Sequence, residues 1–291
     1  DVYEKHLENF KNKDLSSNQA SNIQDANNFL KRLRKGVTYL EDNDNALSAF
    51  KLMNLSILTM FARKTGYHGE NFYDTNPDNG EPEWRSFQIA FCIASLPGVI
   101  DPINEKEDRE IVDLIWFPTG GGKTESYLAL LSFTIFFRRI EEPRDIGTSV
   151  IMRYTLRLLV QDQFSRLASL IISMDYIRKI KFHGHDLGDQ ITLGLWVGSA
   201  VSPNTLDGAC KRVDDTIKRV NQSGGSAELP FLLDECPWCH SDLISVSKQD
   251  PSSGYTKVYL KSNEGLPRCK NNDCGYSTIG ESSLPVILWE E

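Results

Sequence analysis

The chain has 291 residues, 40% of them apolar, enough to bury a real core in one large or two modest domains. Its net charge of −8 excludes a global basic field, so any nucleic-acid surface must be a local patch. No run approaches ~18 uninterrupted apolar residues, which excludes a membrane-crossing helix and with it a membrane partner.

The opening residues, Asp1 to His6, lack the charged and apolar regions of a signal peptide and do not begin with Met. Residues 1–80 read as a polar helical region. Across 46–61 apolar residues recur at three and four, the period of a packed helix. Gly66 and an Asn/Asp/Pro/Gly cluster at 74–82 end that region. A short helix follows, then a charge-dense linker over 102–110.

The run from Ile111 to Trp116 is an apolar strand pattern that leads through Phe117-Pro118-Thr119 into Gly120-Gly121-Gly122-Lys123-Thr124-Glu125 and a helical pattern. Strand, glycine turn, Lys-Thr and helix are the parts of a phosphate-binding loop. Glycines let the backbone curl so that several N–H groups face one anion, and the helix adds its positive end. Lys123 would reach the β/γ-phosphates of ATP and the Thr124 hydroxyl would ligate Mg²⁺. The strict phosphate-loop pattern requires Gly at position 117, where this chain has Phe. Pro118 through Glu125 instead resembles the loop typical of superfamily 2 helicases, in which the first position is relaxed. The plain alternative is a glycine-rich turn that binds no nucleotide.

After the loop, 127–139 is an apolar helix ending in Arg138-Arg139, which suits a helix C-terminus. A second strand is expected at 147–152, a long helix at 156–180 and a third strand at 191–198. Asn204 is expected to cap a helix with Leu206, Val213, Ile217 and Val220 on one face. Alternating strands and helices predict an α/β fold with a parallel sheet covered on both faces.

Four of the six cysteines form two short pairs, Cys236 with Cys239 and Cys269 with Cys274. Such spacings let each pair hold one tetrahedral ion through a tight turn, and thiolates are the ligands Zn²⁺ prefers in structural sites. Ile244, Val246, Val258 and Tyr259 between the pairs alternate as in a β-hairpin, giving a zinc ribbon. The alternatives are disulfides or buried free thiols, and a cytoplasmic ATPase disfavours the former. Cys92 and Cys210 read as core thiols, and His240 as a substitute ligand. Phe231 to Glu235 looks like the acidic motif of a helicase ATPase, but Cys236 follows at once, so Asp234 and Glu235 are expected to flank the ribbon.

Two further stretches carry a family resemblance. Trp84-Arg85-Ser86-Phe87-Gln88 resembles the element whose Gln recognises adenine in superfamily 2 enzymes, with Ser86 where Pro is usual. Met152-Arg153-Tyr154-Thr155-Leu156-Arg157-Leu158-Leu159 resembles motif Ia, whose hydroxyl and arginines hold a nucleic-acid phosphate. Together with the loop, these strings are similar to the DrmA-like superfamily 2 helicases of the bacterial DISARM anti-phage system. The resemblance covers residues 45–291. It implies an ATP-hydrolysing DNA helicase or translocase working beside a second defence-system protein in the cytoplasm. The site residues it implies are Gln88 and Thr119 to Glu125 for nucleotide, and Arg153, Thr155 and Arg157 for DNA. The organisation expected is an N-terminal helical region (1–80), a first RecA-like lobe (81–228), an inserted zinc ribbon (229–280) and a returning strand (281–291). The acidic motif, second lobe and arginine finger of such enzymes lie further on, so this segment alone is expected to be inactive. The competing reading is a non-catalytic scaffold that binds DNA or a partner through a degenerate lobe.

Overall fold

Helices α1 (Val2–Glu8), α2 (Ser17–Asp42), α3 (Asp44–Lys64), α4 (Ser86–Ile100), α5 (Lys106–Glu110) and α6 (Lys123–Glu141) run through the first half of the chain. The second half holds α7 (Arg157–Lys179), α8 (Leu206–Ser223), α9 (Lys257–Ser262) and four short strands. These elements come from a computed structural model that describes residues 2–10, 16–64, 83–118, 120–153, 157–197, 203, 205–262, 265–279 and 283–288. The chain divides into two compact units, one of residues 1–55 and 75–142, the other of 56–74 and 143–291. No described helix is long and apolar enough to cross a membrane.

In the first unit, Ser16 starts α2 with a reciprocal cap. Its Oγ accepts from the Gln19 N–H at 3.4 Å, and Gln19 Oε1 accepts from the Ser16 N–H at 3.0 Å. Helices α2 and α4 meet at Gly36, where an added Cβ would lie 2.0 Å from the Ile93 carbonyl oxygen. Only glycine permits that approach. Leu52, Met53, Leu96, Leu128, Phe133 and Phe136 are fully buried. The acidic linker is fastened to α2. Tyr39 donates to Glu105 at 2.9 Å, Lys35 to Asp108 at 3.0 Å, and Arg32 forks onto Asp113 at 2.7 and 2.9 Å.

The stretch expected as the strand before the loop takes a different state. Residues 111–118 have no strand assignment, and Val112, Leu114 and Trp116 are 94%, 84% and 87% exposed. A buried parallel strand is stabilised by neighbours on its edges and faces. Among the described residues of its unit, this segment has no strand neighbour.

In the second unit, β1 (Leu193–Gly194) pairs in parallel with β4 (Val286–Ile287), with Leu193 opposite Val286. Strands β2 (Ser226–Glu228) and β3 (Ser245–Ser247) pair antiparallel, with Ala227 opposite Val246. The expected strand at 147–152 has no strand assignment, and the one at 191–198 narrows to two residues. Helix α8 is capped by Thr205, whose Oγ1 accepts from the Gly208 N–H at 3.1 Å. Asn204, expected in that role, lies outside the described residues.

The ribbon spacer also departs from its expected hairpin, because Val258 and Tyr259 fall in α9 and β3 pairs with β2 instead. Ser253 and Thr256 start that helix: the Tyr255 N–H donates to Ser253 Oγ at 3.2 Å and the Ser253 N–H to Thr256 Oγ1 at 3.3 Å. Leu260 is buried, and Lys257 reaches Asp214 of α8 at 2.7 Å. A helical turn satisfies these contacts, and local strand alternation loses to them.

Candidate functional site

The loop between residue 117 and α6 is a turn with two glycines in the left-handed region, Gly120 at φ 77° and Gly122 at φ 82°. Gly122 is the N-cap residue of α6, so Lys123 and Thr124 occupy its first turn. First-turn amides have no intrahelical carbonyl and favour an anion. Lys123 Nζ donates to the carbonyls of Phe117 at 2.6 Å and Pro118 at 2.9 Å. A polyanion is a stronger acceptor for an ammonium than two neutral carbonyls, so a triphosphate can draw Lys123 off them. Glu125 is buried in the same turn, where an acid suits the helix start. Thr119 lies outside the described residues.

The start of α4 holds this loop. Arg85 Nη1 donates to the Gly121 carbonyl at 2.7 Å, and Gln88 Nε2 to the Gly122 carbonyl at 2.7 Å. Phe87 stacks on Phe117 with ring centroids 3.8 Å apart. Phe117, the departure from the strict loop pattern, thus has a packing partner. Gln88 itself is buried, and its Oε1 accepts from the Arg85 N–H at 2.8 Å. Arg85 and Phe87 are visible in the sequence only as neighbours of Gln88, and no local signal marks their hold on the loop.

Of the residues expected to meet DNA, Arg153 is exposed. Arg157 opens α7, and Thr155 lies outside the described residues.

In the second unit the four paired cysteines converge. The Sγ atoms of Cys236, Cys239, Cys269 and Cys274 all lie within 4.8 Å of one another. Cys239 and Cys269 are 3.5 Å apart, far beyond the ~2.05 Å of a disulfide. Four thiolates at ~2.3 Å from one ion sit about 3.8 Å from each other, so the spacing fits a tetrahedral metal such as zinc. Each pair is held by a turn. The Cys236 N–H donates to the Ser241 carbonyl at 2.9 Å, and His240, at φ 58°, donates its N–H to the Cys236 carbonyl at 2.9 Å. In the second turn the Cys274 N–H donates to the Asn271 carbonyl at 3.1 Å. The four thiols hydrogen-bond among themselves, which holds Cys239 and Cys274 below the ordinary thiol range and pushes Cys236 and Cys269 above it. The His240 ring is engaged elsewhere, with Nε2 3.3 Å from the Arg63 carbonyl and Nδ1 3.8 Å from Glu235.

The cluster is packed on α7. The Trp238 ring lies tilted against Tyr176 with centroids 4.4 Å apart, and the Arg63 guanidinium lies 4.1 Å over the Trp238 ring. The Tyr276 hydroxyl donates to Asp175 at 2.8 Å, and burial raises the Tyr276 pKa. Asp175 is fully buried. It also takes Arg178 Nε at 2.6 Å and the Ile191 N–H at 2.9 Å, so one carboxylate ties together α7, the start of β1 and the second cysteine turn. No local sequence signal marks that hub.

Asp234 and Glu235 lie on the same small hairpin as Cys236 and Cys239. Glu235 bridges Asp242, and the Asp234 carbonyl accepts from the Leu243 N–H at 2.8 Å. Cys92, a core thiol in α4, is pushed up to about 12 by burial.

No family model matches the chain. Its sequence is 33% identical to the DISARM protein DrmA of Bacillus paralicheniformis over 284 residues, which is 92% of this chain and 24% of that protein. The chain is DrmA-like over nearly its whole length and spans about a quarter of the relative's.

Proposed function

Taking the chain as a DrmA-like segment, we propose that it forms the first RecA-like lobe of an ATP-dependent DNA helicase or translocase in bacterial anti-phage defence. The observation that carries this reading is the glycine turn that delivers Lys123 and Thr124 to the first turn of a 19-residue helix. Phosphoryl transfer in such motors is mostly positioning and charge stabilisation. Lys123 and the loop amides bind the β/γ-phosphates of ATP, and Thr124 holds Mg²⁺, which supplies charge neutralisation when bound. Arg153, Thr155 and Arg157 hold a DNA phosphate at the start of α7. Zinc on Cys236, Cys239, Cys269 and Cys274 is structural, since four thiolates leave no position for chemistry. Asp234 and Glu235 have no part in hydrolysis, so the 291-residue chain alone binds nucleotide weakly and hydrolyses it negligibly. The whole protein works in the cytoplasm with a second defence-system protein.

The test is Lys123→Ala in the intact defence protein, scored by phage protection in cells and by DNA-stimulated ATPase activity in vitro. A motor loses both. Protection that survives the substitution favours a scaffold that holds DNA or its partner without turnover.

A further inference from the structure

Gln88 is the residue that family resemblance assigns to adenine, yet one N–H and one oxygen lone pair of its carboxamide are already taken and the residue is buried, so its remaining donor and acceptor are largely shut off from a ligand. Its oxygen accepts from the Arg85 N–H at 2.8 Å and its nitrogen donates to the Gly122 carbonyl at 2.7 Å. This orientation is dictated by chemistry. Turning the amide over would set its oxygen against the Gly122 carbonyl and its NH₂ against the Arg85 N–H, two like-with-like contacts. The side chain is 5% exposed, so little of it faces a ligand. Gly122 leaves no slack either: a Cβ there would lie 2.5 Å from Gln88 Nε2.

Two neighbours act on the same loop. Arg85 Nη1 holds the Gly121 carbonyl at 2.7 Å, and Phe87 stacks on Phe117 at 3.8 Å. Three residues within one turn at the start of α4 therefore grip the loop at 117, 121 and 122. Carbonyls at 121 and 122 that are held by side chains point toward α4. Fixing those peptide planes sets which way their N–H partners face, and an anion site made of backbone amides depends on that direction.

Resting on the nucleotide-binding reading above, we propose that Arg85, Phe87 and Gln88 are positioning residues that preset the loop for a triphosphate chain, and that Gln88 does not read the base. The site therefore recognises the triphosphate and is indifferent to adenine or guanine at this residue. Phe117 is part of the same device, which explains a bulky ring at a position where strict phosphate loops carry glycine.

The experiment is calorimetric titration of the 291-residue chain with Mg-ATP, Mg-GTP and inorganic tripolyphosphate. It compares wild type, Lys123→Ala, Gln88→Met and Arg85→Met. Arg85 is exposed, so its variant keeps the fold even if the buried Gln88 variant does not. Loss of one hydrogen bond to the loop is expected to weaken all three ligands by the same factor, roughly three- to tenfold. Binding stoichiometry should stay constant and the ATP-to-GTP ratio should not move. A fall in active fraction with unchanged affinity would reveal mere misfolding and overturn the positioning role. Weakening of ATP alone by Gln88→Met, with GTP and tripolyphosphate untouched, would overturn it in favour of adenine reading. So would no change in either variant. Absence of Lys123-dependent binding in wild type would remove the nucleotide reading itself and this inference with it.

Discussion

The cysteine cluster sits among Trp238, Leu243 and Tyr276, all essentially buried, whereas the glycine loop emerges from a segment whose Val112, Leu114 and Trp116 are almost fully exposed. The first site is enclosed by its own unit. Its turns, its aromatic wall and the Asp175 hub are all formed from described residues. The second site is gripped from one side, by α4, while the strand pattern that leads into it has no strand neighbour among those residues. A compact metal knuckle needs a few short-range turns to be complete. A loop at the end of a parallel strand needs a sheet.

This contrast can be broken by substitution, and the effects should fall in order. Cys269→Ser or prolonged chelation should abolish the cooperative unfolding transition of the second unit, because binding of a structural metal is folding free energy. Circular dichroism melts with and without zinc check it, and an unchanged melt would mean the thiols are only core. Asp175→Ala should cost about 3–5 kcal/mol in denaturant unfolding, since it leaves the Arg178 guanidinium without its main carboxylate and orphans the Ile191 N–H. Gly122→Ala forces a side chain into the left-handed region and onto Gln88, costing about 1–3 kcal/mol. It should weaken nucleotide binding while leaving zinc content unchanged. Tyr276→Phe removes one hydrogen bond to Asp175 and should cost only about 1 kcal/mol.

Legibility in the sequence followed the range of the interactions. The Cys-x-x-Cys turn, the triple glycine with Lys123, and the long helices depend on neighbours a few residues away, and spacing alone reported them. Helix α7 was expected at 156–180 and spans Arg157–Lys179. The segments at 111–116 and 147–152 have the apolar composition of strands, but pairing is a non-local property that composition does not supply. Val258 and Tyr259 alternated like a strand, yet Ser253 and Thr256 turn the chain into a helix there. The bond between Tyr276 and Asp175 joins residues 101 positions apart, so nothing short-range could have announced it. The string at 84–88 points to Gln88 only by resemblance, whereas its hold on the Gly122 carbonyl requires the folded backbone.

The most direct test of the account is Mg-ATP binding by calorimetry to the 291-residue chain, wild type and Lys123→Ala, with zinc measured in the same samples. The account predicts one zinc per chain in both proteins and nucleotide binding in wild type alone. Equal binding by both, or binding by neither, would contradict the assignment of the glycine loop as the nucleotide site.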